Sequence, residues 1–176
     1  TMLPNGDVLV VTGDVDLSSG NNPLPQVWQF ATGTWRSLTS AQLQLPLYPN
    51  MFLAPNGRVF NATPGVLTRY LDTTGTGAWS VLGNRTFNAV RDYGGAVMYE
   101  PGKILLAGGG NPPTSTAEVI DLNAATPAWR AVGSMNNARR QMNATMLPDG
   151  KVLVMGGTRG TGFNNTDPSN SVLAAE

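Results

Sequence analysis

Few residues of this 176-residue chain could carry chemistry, because it contains no cysteine and no histidine. That removes disulfides, thiolate and imidazole metal sites, Ser-His-Asp triads and Cys-His pairs together. Carboxylates, tyrosine, lysine and arginine are left to act as acid, base or electrostatic stabiliser, and no nucleophile or phosphate-loop motif accompanies them. Such groups gather in Arg91-Asp92-Tyr93 and Arg139-Arg140-Gln141, and Tyr48 stands alone in Leu47-Tyr48-Pro49. Guanidinium groups can hold a carboxylate or sugar hydroxyls through paired donors. The competing reading of the arginines is a surface or interblade ion pair with Asp92 or another carboxylate. For Tyr48 and Tyr93 it is a buried ring whose hydroxyl bonds to backbone. Asp14 and Asp16 supply two carboxylates on a loop, short of the roughly six to eight oxygens that calcium takes, so no metal site is assigned. Asn61, Asn84, Asn143 and Asn164 each open an Asn-x-Thr glycosylation pattern, which matters only in a eukaryotic secretory setting. Asn143, at the entry of an inner strand, is the least suitable acceptor.

What positions these groups is a repeat. One phrase recurs at Leu3-Pro4-Asn5-Gly6, Ala54-Pro55-Asn56-Gly57, Glu100-Pro101-Gly102 and Leu147-Pro148-Asp149-Gly150, with its glycines 51, 45 and 48 residues apart. Proline sets φ for the first turn position, and the Asn-Gly or Asp-Gly that follows supplies a positive φ, so each phrase predicts a hairpin tip. Short apolar runs follow at Asp7 to Val11, Arg58 to Phe60, Lys103 to Leu106 and Lys151 to Met155, the pattern of strands buried on both faces.

Glycine then punctuates the chain at Thr12-Gly13, Gly108-Gly109-Gly110 and Gly156-Gly157, where small residues let neighbouring units approach; Ala62-Thr63 stands there in the second repeat. A third strand is expected at Gln26 to Phe30, at Ala117 to Leu122 and, cut off partway, at Leu173 to Glu176. A tryptophan begins each fourth strand, at Trp35, Trp79 and Trp129, and is expected to fill the gap between adjacent sheets rather than to stack on a sugar. No window holds helical periodicity without glycine or proline, so essentially no helix is expected.

The period and the strand count predict an all-β chain, a kelch-type β-propeller arc of about three and a half four-stranded blades of roughly 50 residues each. The approximate blade segments are 1–47, 48–92, 93–140 and 141–176, within a single partial propeller. Such rings close on about six or seven blades, so the sequence reads as a piece whose natural cover is the remaining blades of a longer chain. Pairing of two copies into one ring is the alternative. Eleven basic residues balance eleven acidic ones. No net field draws in nucleic acid, and no apolar stretch suits a membrane span or a signal peptide.

With those residues in place, the chain resembles the kelch domains of the galactose oxidase and glyoxal oxidase family, the copper radical oxidases. The resemblance runs through Thr1-Met2-Leu3-Pro4-Asn5-Gly6-Asp7-Val8-Leu9-Val10-Val11-Thr12-Gly13, Leu47-Tyr48-Pro49 ahead of Phe52 to Phe60, Arg91-Asp92-Tyr93, and Ala138-Arg139-Arg140 ahead of Asn143 to Gly157. The Leu-Tyr-Pro entry is closer to glyoxal oxidase. The resemblance implies a secreted enzyme that oxidises an alcohol or aldehyde, reduces dioxygen to hydrogen peroxide, and uses one copper with a cysteine-crosslinked tyrosyl radical. None of the defining copper ligands falls within these residues, so copper is implied only for a longer protein and no catalytic residue is assigned here.

Aligning the hairpin tips places Tyr48, Tyr93 and Gln141 in the register of that family's crosslinked tyrosine, at the mouth of the predicted propeller. Arg91, Arg139 and Arg140 lie nearby, and together these six form the expected substrate-binding set. A carbohydrate, alcohol or aldehyde is the expected ligand. The competing functions are a non-catalytic kelch module that binds glycans or proteins, and a purely structural unit.

Overall fold

The computed structural model describes residues 1–16, 20–163 and 165–176. Fifteen strands run in chain order: β1 Val8–Val10, β2 Asp14–Asp16, β3 Gly20–Asn21, β4 Gln26–Gln29, β5 Thr34–Ser37, β6 Met51–Leu53, β7 Val59–Asn61, β8 Leu67–Asp72, β9 Ala78–Asn84, β10 Gly95–Glu100, β11 Lys103–Ala107, β12 Ala117–Asp121, β13 Arg130–Val132, β14 Asn143–Met146 and β15 Val152–Met155. Among the described residues the one helical element is a single 3-10 turn at Pro168–Asn170, and no helix is long and apolar enough to cross a membrane.

The hairpin tips form as their sequences predict, three of them as three-residue loops and the Pro101-Gly102 tip as a two-residue loop with Glu100 opposite Lys103. Gly6 N donates to Leu3 O and Leu3 N to Asp7 O, and the same pair of bonds recurs at Ala54 to Arg58 and at Leu147 to Lys151. Only the glycine is left-handed, at φ +85° for Gly6, +79° for Gly57 and +81° for Gly150, which is why glycine ends each phrase. The residue before it braces the turn with its side chain, since Asn5 Oδ1, Asn56 Oδ1 and Asp149 Oδ1 each accept from the backbone N–H two residues on, at 3.1 Å.

Each hairpin grows into an antiparallel meander. The second repeat gives the order β6-β7-β8-β9 and the third gives β10-β11-β12-β13. The first holds β1-β4-β5, extended by a bridge between Met2 and Val8, and the fourth holds β14-β15. The strands expected at Gln26 to Phe30 and Ala117 to Leu122 are β4 and β12. The one expected at Leu173 to Glu176 is not a strand, although Glu176 and Val154 exchange both backbone hydrogen bonds, at 2.7 and 2.9 Å. The small hairpin of β2 and β3 carries no sequence signal of the tip phrase; its connecting residues 17–19 lie outside the described set, as does the glycosylation pattern at Asn164.

The chain divides into two compact units, Thr1–Ala62 with Leu67–Gly83, and Thr63–Val66 with Asn84–Glu176. In the first, Leu3, Leu9, Val27, Leu38 and Ala41 join Val59 and Leu71 in one core, with Trp79 packed against it. Trp79 also donates Nε1–H to Ala41 O at 2.7 Å, so it fills the space between its sheet and the one before, as expected. Trp35 does not: it is 53% exposed and meets Trp28 edge-on at 5.3 Å. In the second unit the glycine punctuation permits close approach. A Cβ on Gly108 would stand 2.6 Å from Arg139 O, and one on Gly157 2.4 Å from Arg140 O, distances that no side chain tolerates.

Candidate functional site

The register shared by Tyr48, Tyr93 and Gln141 has a backbone signature. Each lies nine residues ahead of a hairpin glycine, and their φ values are +56°, +56° and +54°. A left-handed conformation costs an L-residue about 1–2 kcal/mol, so the turn into each inner strand is a sharp bend held by its surroundings. Tyr48 belongs to the first unit and is 73% exposed, so the buried-ring reading does not describe it.

In the second unit the fold brings several of the predicted residues together. Gln141 N donates to Tyr93 O at 2.9 Å, which ties the two bends to each other. Arg140 is buried, sits 5.1 Å from the Tyr93 ring centroid and donates from Nη2 to Asp92 Oδ2 at 2.7 Å. Its Nη1 donates to Gly162 O at 2.9 Å. The Tyr93 ring also meets Phe163, with the ring centroids 5.8 Å apart. Asp92 is the acid that the sequence offered as an ion-pair partner for the arginines, and Arg140 is the one that takes it, whereas nothing in the sequence singles out Phe163.

Arg139 is fully buried and turns elsewhere. Its Nη1 donates to Gly156 O at 3.2 Å, and its Nη2 pairs with the carboxylate of Glu176. That carboxylate also accepts from the backbone of Asn136 and Asn137. Burial opposes its charge, but the donated hydrogen bonds outweigh burial and hold its pKa down to about 2. Arg139 thus fastens the chain around Glu176 and leaves the cleft to others.

Arg91 is the centre of a buried cluster. Its Nη1 donates to Gly108 O at 2.9 Å and Thr116 O at 2.8 Å, and Nη2 donates to the Thr116 hydroxyl. The guanidinium also covers the Phe87 ring at 5.0 Å. Glu118, wholly buried in β12, binds Arg85 Nη1 at 3.0 Å through Oε1 and Thr86 N at 2.9 Å through Oε2. Arg91 Nε stands 3.6 Å from the same Oε1, beyond hydrogen-bond reach. Desolvation lowers the pKa of both guanidiniums; for Arg91, Glu118 opposes the shift and Arg85 adds to it. The visible hint in the sequence was Glu118 itself, an acid between Ala117 and the apolar pair Val119-Ile120, which demands a buried counter-charge.

Beside Arg91 opens a cleft of about 450 Å³. Phe87, Ala89, Val90 and Pro112 form its apolar walls, and Arg91, Asp92, Asn111, Thr114 and Thr116 supply polar groups. A mostly apolar concavity with a few convergent polar groups is the usual form of a small-molecule site. Of the six predicted residues, Arg91 alone lines it, although Asp92 joins it to Arg140 and Tyr93.

No protein-family profile matches the sequence, and no curated protein sequence matches it. Solved structures do. A fungal alcohol oxidase of the AA5 family, determined in complex with copper, superposes with a TM-score of 0.82 at 24% identity, over 97% of this chain and 38% of that one. The structure of YjhT superposes with a TM-score of 0.75 at 13% identity, over 94% of this chain and 59% of that one. This chain therefore spans less than two thirds of either protein. The oxidase holds copper, but the donors present here do not suit it: the sequence has no histidine or cysteine, and among the described residues no three acidic side chains gather. The likeness lies in the fold, and the chain is a segment of a kelch-type β-propeller.

Proposed function

We propose that this chain is the ligand-facing arc of a secreted protein like the copper radical oxidases, which oxidises an alcohol or aldehyde with dioxygen and releases hydrogen peroxide. Its own role is to shape the substrate cleft, and copper ligands come from other parts of a longer polypeptide. The observation that carries the reading is the cleft beside Arg91, set in a fold that follows a copper-bound alcohol oxidase over nearly the whole chain. Apolar walls hold a carbon skeleton there, and hydroxyl, amide and carboxylate groups orient its oxygens.

The reading also assigns a partner, a further sheet of the same polypeptide. Val8 and Val59 each follow a hairpin glycine by two residues; Val8 pairs with Trp28, and Val59 with Leu71. Val59 and Leu71, with Trp79, are packed into the core shared with the preceding sheet. Their counterparts Val8 and Trp35 are 38% and 53% exposed. An apolar face with this register suits the back of another blade better than it suits water. The greater length of the matched structures is consistent with such blades.

The test is to express the longer polypeptide, reconstitute it with copper and follow peroxide release across alcohols and aldehydes. Turnover that depends on copper supports the proposal. A protein that retains no copper and releases no peroxide refutes it, and leaves the second reading, a non-catalytic module that binds glycans or proteins at the same cleft.

A further inference from the structure

The hydrogen-bonding capacity of the cleft is unevenly used. On Arg91, both Nη1 protons and one Nη2 proton have acceptors, which leaves a second Nη2–H and the Nε–H. Nε has no hydrogen-bond partner among the described residues but is itself buried, 3.6 Å from Glu118 Oε1, so the second Nη2–H is the Arg91 donor left for a ligand. The hydroxyls of Thr114 and Thr116 are 3.0 Å apart, and either can be the donor. Both are already acceptors, Thr116 from Arg91 and Thr114 from Thr116 N at 3.2 Å. Whichever threonine donates to the other, one hydroxyl proton is left to be satisfied from the cleft that both residues line.

Charge is equally unbalanced. Among the described residues Glu118 is the one carboxylate facing both Arg85 and Arg91, so this buried cluster carries an excess positive charge. Asp92 does not cancel it, because its Oδ2 is paired with Arg140. Its Oδ1 remains an acceptor at the rim of the cleft, suited to a ligand hydroxyl and repellent to a doubly charged anion.

We infer that the cleft binds a hydroxylated monocarboxylate, a sugar acid or a similar hydroxy acid. Its carboxylate is received by Arg91 and the threonine pair, a hydroxyl by Asp92, and its carbon face by Phe87, Val90 and Pro112. This rests on the reading of the cleft as a ligand site and names the class of ligand.

Glucuronate and glucose differ only at the carboxylate and make the probe pair, measured by calorimetry on the full chain at neutral pH. Glucuronate is expected to bind at least about tenfold more tightly than glucose, the difference that one charge-assisted contact makes. Thr114→Val, a near-isosteric change at a half-buried position, is expected to weaken glucuronate about fivefold and so to narrow its margin over glucose. Equal affinity for the two sugars overturns the carboxylate assignment but keeps the cleft as a ligand site. Inorganic phosphate competing more strongly than glucuronate overturns it as well, by showing a general anion site. Failure of every probe to bind removes both the inference and the ligand-site reading beneath it.

Discussion

Replacing Glu118 with glutamine keeps the volume of the side chain, removes the charge that faces two buried guanidiniums, and exchanges one of its two accepting oxygens for a donor. The side chains of Arg85 and Glu118 are both 0% exposed and 3.0 Å apart, and Arg91 at 3.6 Å has no other acid partner among the described residues. Breaking a buried pair by neutralising one member costs about 3–5 kcal/mol, because the remaining charge has neither water nor a counter-ion. For a chain of this length that corresponds to a fall of roughly 6–20 °C in the thermal midpoint. Urea and thermal unfolding followed by circular dichroism would read it directly. Arg85→Met alone and in combination with Glu118→Gln completes a double-mutant cycle, in which the combined loss should be clearly smaller than the sum. A Glu118→Gln protein within about 1 kcal/mol of the parent, with unchanged urea dependence, would show that this carboxylate is not the counter-charge and would undo the account of how Arg91 is held.

Three further outcomes are expected. Gly157→Ala should cost about 3 kcal/mol or more, since its Cβ would lie 2.4 Å from Arg140 O, whereas Gly150→Ala, with φ +81° but nothing within 4 Å, should cost only the roughly 1–2 kcal/mol of left-handed strain; urea midpoints separate the two. The pKa of Glu176 falls from 4.5 to about 2 on folding, so its stabilisation is complete above pH 4.5 and disappears as pH falls toward 2. Glu176→Gln should flatten that part of the acid-unfolding curve relative to the parent chain. Trp35→Lys together with Val10→Lys, at positions 53% and 45% exposed, should reduce dye binding and self-association of the isolated chain with little loss of stability; sedimentation that is monomeric before and after the change would argue against an interface there.

The parts legible in the sequence are those governed by local backbone demands. Gly6, Gly57, Gly102 and Gly150 must be left-handed to close their turns, and that requirement is visible where glycine follows Pro-Asn, Pro-Asp or, at Gly102, proline itself. The spacing of those turns sets the strand length, and the strand length sets the meander. The shared conformation of Tyr48, Tyr93 and Gln141 could be anticipated for the same reason, as it depends only on distance along the chain from a hairpin tip.

What the tertiary structure decided are the partners. Arg140 finds Asp92 from 48 residues away, one repeat along the chain, while Arg85 finds Glu118 from 33, a separation that matches no repeat spacing. Arg91 and Arg139 look equivalent in sequence, yet one lines the cleft and the other is fastened to Glu176. Trp35 and Trp79 begin equivalent strands, yet only Trp79 has a sheet to cover. Turn geometry is fixed by a few adjacent dihedral angles, whereas burial and ion pairing depend on which segments the folded sheets bring within a few ångströms, and that distance is not written in the order of the residues.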